Sequence, residues 1–167
     1  MNLPVCEICA NTHLICYECE KKLKNGDITE LDLKISRTIA RMARTSKILS
    51  DVHIIKAFDI GDRVVVITRY EDVGKLIGRN GYRISRLSEI LGKKTVIVGN
   101  TPDVRRVIER MIFPVRVKNI IGKFQGDIAV NYIDITGEIT SDKEKLQDAL
   151  EYLFGQKYII NPVVDHE

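Results

Sequence analysis

Asp72-Val73-Gly74-Lys75-Leu76-Ile77-Gly78-Arg79-Asn80-Gly81-Tyr82-Arg83-Ile84-Ser85-Arg86-Leu87-Ser88-Glu89-Ile90-Leu91-Gly92 is the stretch on which the fold turns. A short helix is expected over 72–77, running into Gly78. A longer one starts near Gly81, buries Ile84, Leu87 and Leu91, and ends at Gly92 as a C-cap. Two glycines flank Arg79 and Asn80. Lacking Cβ atoms, they let the backbone turn sharply and approach another chain closely. The helix that follows aims its N-terminal amides at the same point, where they favour an anion. From residue 74 to 94 the chain carries Lys75, Arg79, Arg83, Arg86, Lys93 and Lys94 against the single acid Glu89. This combination points to a sugar-phosphate backbone as ligand.

Upstream, Thr29 and Asp32 have capping-box spacing, and Leu31, Ile35, Ile39, Met42 and Leu49 recur at helical intervals. One amphipathic helix is expected over 29–49. Its other side carries Lys34, Arg37, Arg41 and Arg44, which suit either RNA phosphates or plain solvation. Val52–Phe58 and Arg63–Thr68 read as strands joined by the turn Asp59-Ile60-Gly61-Asp62. Lys94–Val98 reads as a further strand.

The order helix, strand, strand, helix, Gly-x-x-Gly, helix, strand over residues 29–98 resembles a type II KH domain (αββααβ). The run Leu76–Val98 is most similar to the first KH domain of the NusA transcription factors, archaeal type. That resemblance implies a loop that clamps about four single-stranded nucleotides. It implies an RNA-binding set of Lys75, Ile77, Gly78, Arg79, Asn80, Gly81, Arg83, Ile84, Arg86 and Leu87. It also implies a groove lined or underlain by Ile77, Ile84, Leu87 and Ile97. The expected partners are single-stranded RNA with RNA polymerase or, alternatively, the ribosome.

The first 27 residues hold every cysteine of the chain, as Cys6-x-x-Cys9 and Cys16-x-x-Cys19. Two such pairs supply the four thiolates of a tetrahedral site, so a zinc knuckle with structural Zn2+ is expected. Disulfides would need an oxidising compartment. An iron–sulfur cluster takes the same four thiolates, and spacing alone does not separate the two. With four protein ligands no position is left for a reacting water.

After residue 100, Thr101-Pro102-Asp103 starts a helix whose apolar face is Val104, Val107, Ile108 and Met111. Strands are expected at Val115–Ile121 and Asp127–Ile135, joined across Gly122–Gly126. A helix follows from Ser141-Asp142 to about Phe154, with Leu146, Leu150 and Leu153 inward, and then a strand at Lys157–Ile160. This resembles a degenerate KH-like α+β unit without the Gly-x-x-Gly. The expected division is therefore 1–27, 28–100 and 101–167.

Charge follows the same division. Residues 31–113 carry 17 basic and 9 acidic side chains, whereas the segments on either side are acidic. A positive middle suits a polyanion. The apolar share of 44% is that of a globular chain. No run of 18 apolar residues is present, and Met1-Asn2-Leu3-Pro4 has neither a basic start nor an apolar core. A cytoplasmic protein without a membrane span or secretory signal is expected. His13, His53 and His166 are scattered, and Glu71-Asp72 and Asp59/Asp62 read as turn and helix-start residues. No enzyme is expected.

Overall fold

The computed structural model describes residues 1–163; His166 lies outside them. The chain is a mixed α+β protein with two three-stranded sheets, and it forms two compact units. Among the described residues, no helix is long and apolar enough to cross a membrane.

The first unit comprises Met1–Phe58 and Val64–Asn100. Its elements are α1 (Glu7–Asn11), α2 (Tyr17–Asn25), α3 (Glu30–Ala43), β1 (Ile54–Asp59), β2 (Arg63–Arg69), α4 (Val73–Ile77), α5 (Tyr82–Leu91) and β3 (Lys94–Asn100). The sheet order is β1-β2-β3. The helices bury Ile35 and Ile39 of α3, Leu76 of α4 and Leu87 of α5 against Ile54, Val64, Val66 and Ile97 of the strands. Every one of these side chains is at most 3% exposed, so each contributes about 1.5–3 kcal/mol by leaving water.

Helix α3 is buried on two sides. Its Leu33 and Ala40 join a second cluster with Val5, Cys9, Ala10, Cys19 and Ile28. This face places the cysteine segment on α3. The helix starts with a capping box, in which the Thr29 hydroxyl accepts from the Asp32 amide and Asp32 accepts from the Thr29 amide. Asp32 is fully buried, accepts from the Ala57 amide at 2.8 Å and pairs with Lys56 at 2.9 Å. A helix cap thus also ties α3 to β1. The helix ends at Ala43, short of the expected residue 49. Ser46 turns to an extended conformation, and a separate 3-10 turn at Lys47–Leu49 delivers Leu49 to the core. The Thr45 hydroxyl bonds back to the Met42 carbonyl at 3.2 Å, which competes with helical continuation.

The second unit comprises Asp59–Arg63 and the chain from Thr101 onward. It contains α6 (Val104–Ile112), β4 (Val117–Gln125), β5 (Ile128–Thr136), α7 (Lys143–Phe154) and β6 (Lys157–Val163). Strand β5 pairs antiparallel with β4 and parallel with β6. Asp103, not the preceding Thr-Pro pair, caps α6. Asp62 accepts from the Thr140 and Ser141 hydroxyls, both at 2.6 Å. Burial pushes its carboxyl up, but the hydrogen bonds from Arg63, Ser141 and Thr140 outweigh that and hold it below the usual carboxylate range. The Arg63 guanidinium donates to the Met111 and Phe113 carbonyls at the end of α6.

The connection between β4 and β5 differs from the expected Gly122–Gly126 loop. Gly122 lies within β4, opposite Asn131, and the strand runs on to Gln125. Only Gly126 and Asp127 form the turn, with Gly126 at φ +63°. A glycine in a strand pattern reads as a break, and here it is tolerated in an exposed strand.

Candidate nucleic-acid interface and metal site

Helix α4 ends at Gly78, and Arg79–Gly81 form one tight 3-10 turn before α5 begins at Tyr82. Three consecutive features demand this sequence. Gly78 sits at φ +75°, ψ 173°, a region open essentially to glycine alone. A Cβ there would lie 2.9 Å from Arg83 Cγ and 3.2 Å from the Arg83 amide nitrogen. Asn80 is left-handed (φ 53°), which asparagine accepts more readily than most residues, and Gly81 follows at φ +73°. The turn is closed by the Gly81 amide donating to the Gly78 carbonyl at 3.1 Å. No side chain caps the N-terminus of α5.

Arg79 and Asn80 are exposed, and the glycines on either side are half-buried. Neither the Arg79 nor the Asn80 side chain has a hydrogen-bond or ion-pair partner among the described residues. With Tyr82, Arg83 and Ser85 they line an open depression of about 550 Å3. No acidic side chain lines it.

The other residues expected at this site divide into distinct settings. Lys75 is engaged by Asp72 at 2.9 Å and Asp51 at 3.0 Å. Arg83 donates to the Lys75 carbonyl at 3.0 Å and toward the Ser46 hydroxyl at 3.4 Å. Arg86 is exposed and has no partner among the described residues. Ile77 and Ile84 are half-buried at the edge of the core, whereas Leu87 and Ile97 are in the core itself. Leu87 and Ile97 therefore hold α5 and β3 in place from beneath.

Behind the loop, Asp72 is fully buried. Its carboxylate accepts from Arg69 Nε at 2.7 Å and from the His53 amide at 3.0 Å. Burial pushes this carboxyl up, but the bonds from Arg69 and Lys75 overcome it and hold the group at about 2. Asp72 is thus an anchor that joins α4, the end of β2 and His53, the residue just before β1. The Asp72–Lys75 spacing of three is a legible helix-pair signal, whereas the partner Asp51, 24 residues away, is not.

The basic stripe of α3 is likewise divided. Arg37 donates to the Cys9 carbonyl at 3.0 Å and the Leu14 carbonyl at 3.1 Å, and Arg44 donates to the Asn11 carbonyl at 3.2 Å. Both arginines are therefore turned onto the cysteine segment. Arg41, between them in sequence, is exposed and has no partner among the described residues.

The sulfurs of Cys6, Cys9, Cys16 and Cys19 all lie within 4.8 Å of one another. The Cys6 and Cys16 sulfurs are 3.7 Å apart. Four thiolates at about 2.3 Å from one tetrahedral ion stand about 3.8 Å apart, so the spacing suits a single ion. Each pair opens a short helix, α1 or α2, that the spacing did not reveal. Backbone amides already address the sulfurs: Cys16 N–H to Cys9 Sγ at 3.1 Å and Cys6 N–H to Cys19 Sγ at 3.5 Å. The Cys9 amide pulls the Cys6 thiol down to about 7, while burial pushes the Cys9 thiol up to about 12. Burial also raises Cys19. A cation at the centre would replace the protons that burial otherwise keeps on those sulfurs.

The fold and these two sites define a mixed α+β protein with an exposed, basic glycine turn and a clustered four-cysteine site. No known family profile matches the chain. Three archaeal proteins, each described as a probable transcription termination protein NusA, are similar to it. The one from Methanocaldococcus jannaschii is 28% identical over 91 residues, covering 54% of this chain and 50% of that protein. The one from Methanococcus vannielii is 20% identical over 83 residues, 49% of this chain and 48% of that protein. The one from Halobacterium salinarum is 22% identical over 108 residues, 65% of this chain and 77% of that protein. The chain thus spans about half the length of the two methanogen relatives. A solved structure, that of APE1850, has a similar fold, with a TM-score of 0.51 and 20% identity over 75% of this chain and 96% of the other. The chain is thus weakly similar, over 49–65% of its length, to archaeal NusA-like proteins.

Proposed function

We propose that the protein binds single-stranded RNA through a type II KH domain in the first unit, and that it acts in transcription beside RNA polymerase as a NusA-like factor. The observation that carries the reading is the Gly78–Gly81 turn. Its two polar side chains point to solvent unpartnered, its backbone is held in glycine-only geometry, and an uncapped helix begins behind it. Such a turn lets phosphates approach the main chain and meet helical amides. Arg79 supplies a cation, and Arg83, fixed by the Lys75 carbonyl, forms a rigid wall beside it.

The element order α3-β1-β2-α4-α5-β3 supports the type II KH reading, and the relatives' description as transcription termination proteins supports the setting. The four cysteines, in this reading, hold one structural zinc ion; sulfurs within 4.8 Å of one another suit a single tetrahedral ion. The zinc locks α1 and α2 onto α3. The protein has no catalytic role in this reading; the cysteines serve as metal ligands, and Asp72 and Asp51 are paired with Arg69 and Lys75. In this reading Lys75 and Leu87 support the site rather than touch RNA.

Titration of a fluorescent single-stranded RNA at several salt concentrations tests this. Binding should exceed that of duplex RNA of equal length, and log affinity should fall linearly with log salt by about 0.7 per phosphate contact. Equal affinity for duplex and single strand would overturn the proposal. Co-purification with polymerase, against co-sedimentation with ribosomal subunits, separates transcription from ribosome binding.

A further inference from the structure

We infer that the cleft between α3 and α5 is a second nucleotide-binding site, continuous with the glycine turn, so that the RNA track is longer than the loop alone provides. The inference rests on the RNA-binding reading above. The cleft has a volume of about 480 Å3, within the roughly 300–1,000 Å3 range of pockets that enclose small organic ligands. Met42, Leu49 and Ile90 form its apolar part, Arg41 and Arg86 its charged part, and Tyr82 stands at its edge. Tyr82 and Arg83 also line the depression at the loop, so the two hollows share a wall. Both belong to the first compact unit.

Three observations select a nucleotide as occupant. First, the charge has one sign: no acidic residue lines the cleft, and Arg41 and Arg86 have no partner among the described residues. Their neighbours Arg37 and Arg44 are consumed by the cysteine segment, so α3 has been left one cation on the side facing α5. Second, the apolar surface is exposed where it costs most. Tyr82 is 67% and Ile90 38% exposed, immediately beside these guanidiniums. A phenol ring and an aliphatic floor between two cations suit a base flanked by phosphates. Third, the position is right. Tyr82 is the first residue of α5, directly after Gly81, so a strand gripped at the turn reaches the ring without a gap. An acidic peptide would satisfy the cations but has no use for the stacking ring.

Oligonucleotides of increasing length test the inference on the full chain. Wild-type affinity for single-stranded RNA should rise at least tenfold as the oligomer grows from four to seven nucleotides. In an Arg41→Ala/Ile90→Ala variant that gain should vanish while four-nucleotide binding is retained. Its salt slope on the longer oligomer should fall by about 0.7, the share of the one phosphate contact made by Arg41. Tyr82→Leu should lose the gain with no change in slope, and circular dichroism should show both variants folded. A length gain that survives in the double variant overturns the inference, as does an acidic peptide that displaces the longer RNA while the length gain is absent. If the double variant binds every length as wild type does and loop variants still abolish binding, the cleft is not a site but the loop reading stands. Should loop variants bind normally as well, the RNA-binding reading itself fails.

Discussion

Arg37 Nε donates to the Cys9 carbonyl at 3.0 Å, across 28 residues of sequence. A residue that reads as part of a basic stripe, suited to RNA phosphates or to plain solvation, is thereby a strut between α3 and the cysteine site. Arg37→Ala should lower stability by about 1.5–3 kcal/mol, the range for a hydrogen bond from a charged donor. It should also speed zinc loss to a chromogenic chelator. RNA affinity should change little. A large loss of RNA binding with unchanged zinc release would return Arg37 to the interface.

The ion pair between Asp32 and Lys56 is almost fully buried, at 0% and 4% exposure. Removing one partner strands the other charge. Asp32→Ala should cost about 3–5 kcal/mol in urea denaturation, well above the ~1 kcal/mol of a lost helix cap. A cost near the smaller value would show that Asp32 serves only as a cap.

Asp72 gives the protein an acid limb. Its carboxyl titrates at about 2 in the folded chain against 3.8 as the ordinary value. A group depressed on folding stabilises above its unfolded value and loses that contribution as pH falls through the folded one. Stability should drop by about 1–2 kcal/mol between pH 5 and pH 2 on this account, after allowance for the part-exposed Arg69 and Lys75. Asp72→Asn should be less stable at pH 7 and flatter over that window. An identical pH profile for the variant would contradict the assignment.

Gly74 and Gly78, four residues apart, should respond oppositely to alanine. Gly78→Ala forces a side chain into a φ +75° position and against Arg83, at a cost of about 1–3 kcal/mol. Gly74, inside α4 with no atom within 4 Å of an added Cβ, should gain about 0.5–1 kcal/mol as alanine. Thermal melts of the two variants check the pair. Similar losses in both would mean that helix α4, not the turn, is the strained element.

Much of this architecture was legible because local signals agreed. The Thr29/Asp32 capping box, Gly92 as a C-cap and the apolar spacing of Ile84, Leu87 and Leu91 all appear in the structure as read. The four clustered sulfurs follow from their spacing. What was not legible depends on contacts distant in sequence. Nothing local says that Arg37 and Arg44 serve the cysteine segment while Arg41 remains free. Nor does anything local reveal that Asp51 engages Lys75 or that Asp59–Arg63 belongs to the second unit. The course of β4 through Gly122 was misread because a glycine in a strand is a break only when tertiary packing makes it one.

The central claim is that the Gly78–Gly81 turn grips the RNA. The most direct measurement is the affinity of an Arg79→Asp/Asn80→Asp variant for a short single-stranded RNA, with folding checked by circular dichroism. Both side chains are exposed and unpartnered among the described residues, so the fold should persist. The account predicts a folded protein with binding abolished; wild-type affinity in the same folded variant would contradict it.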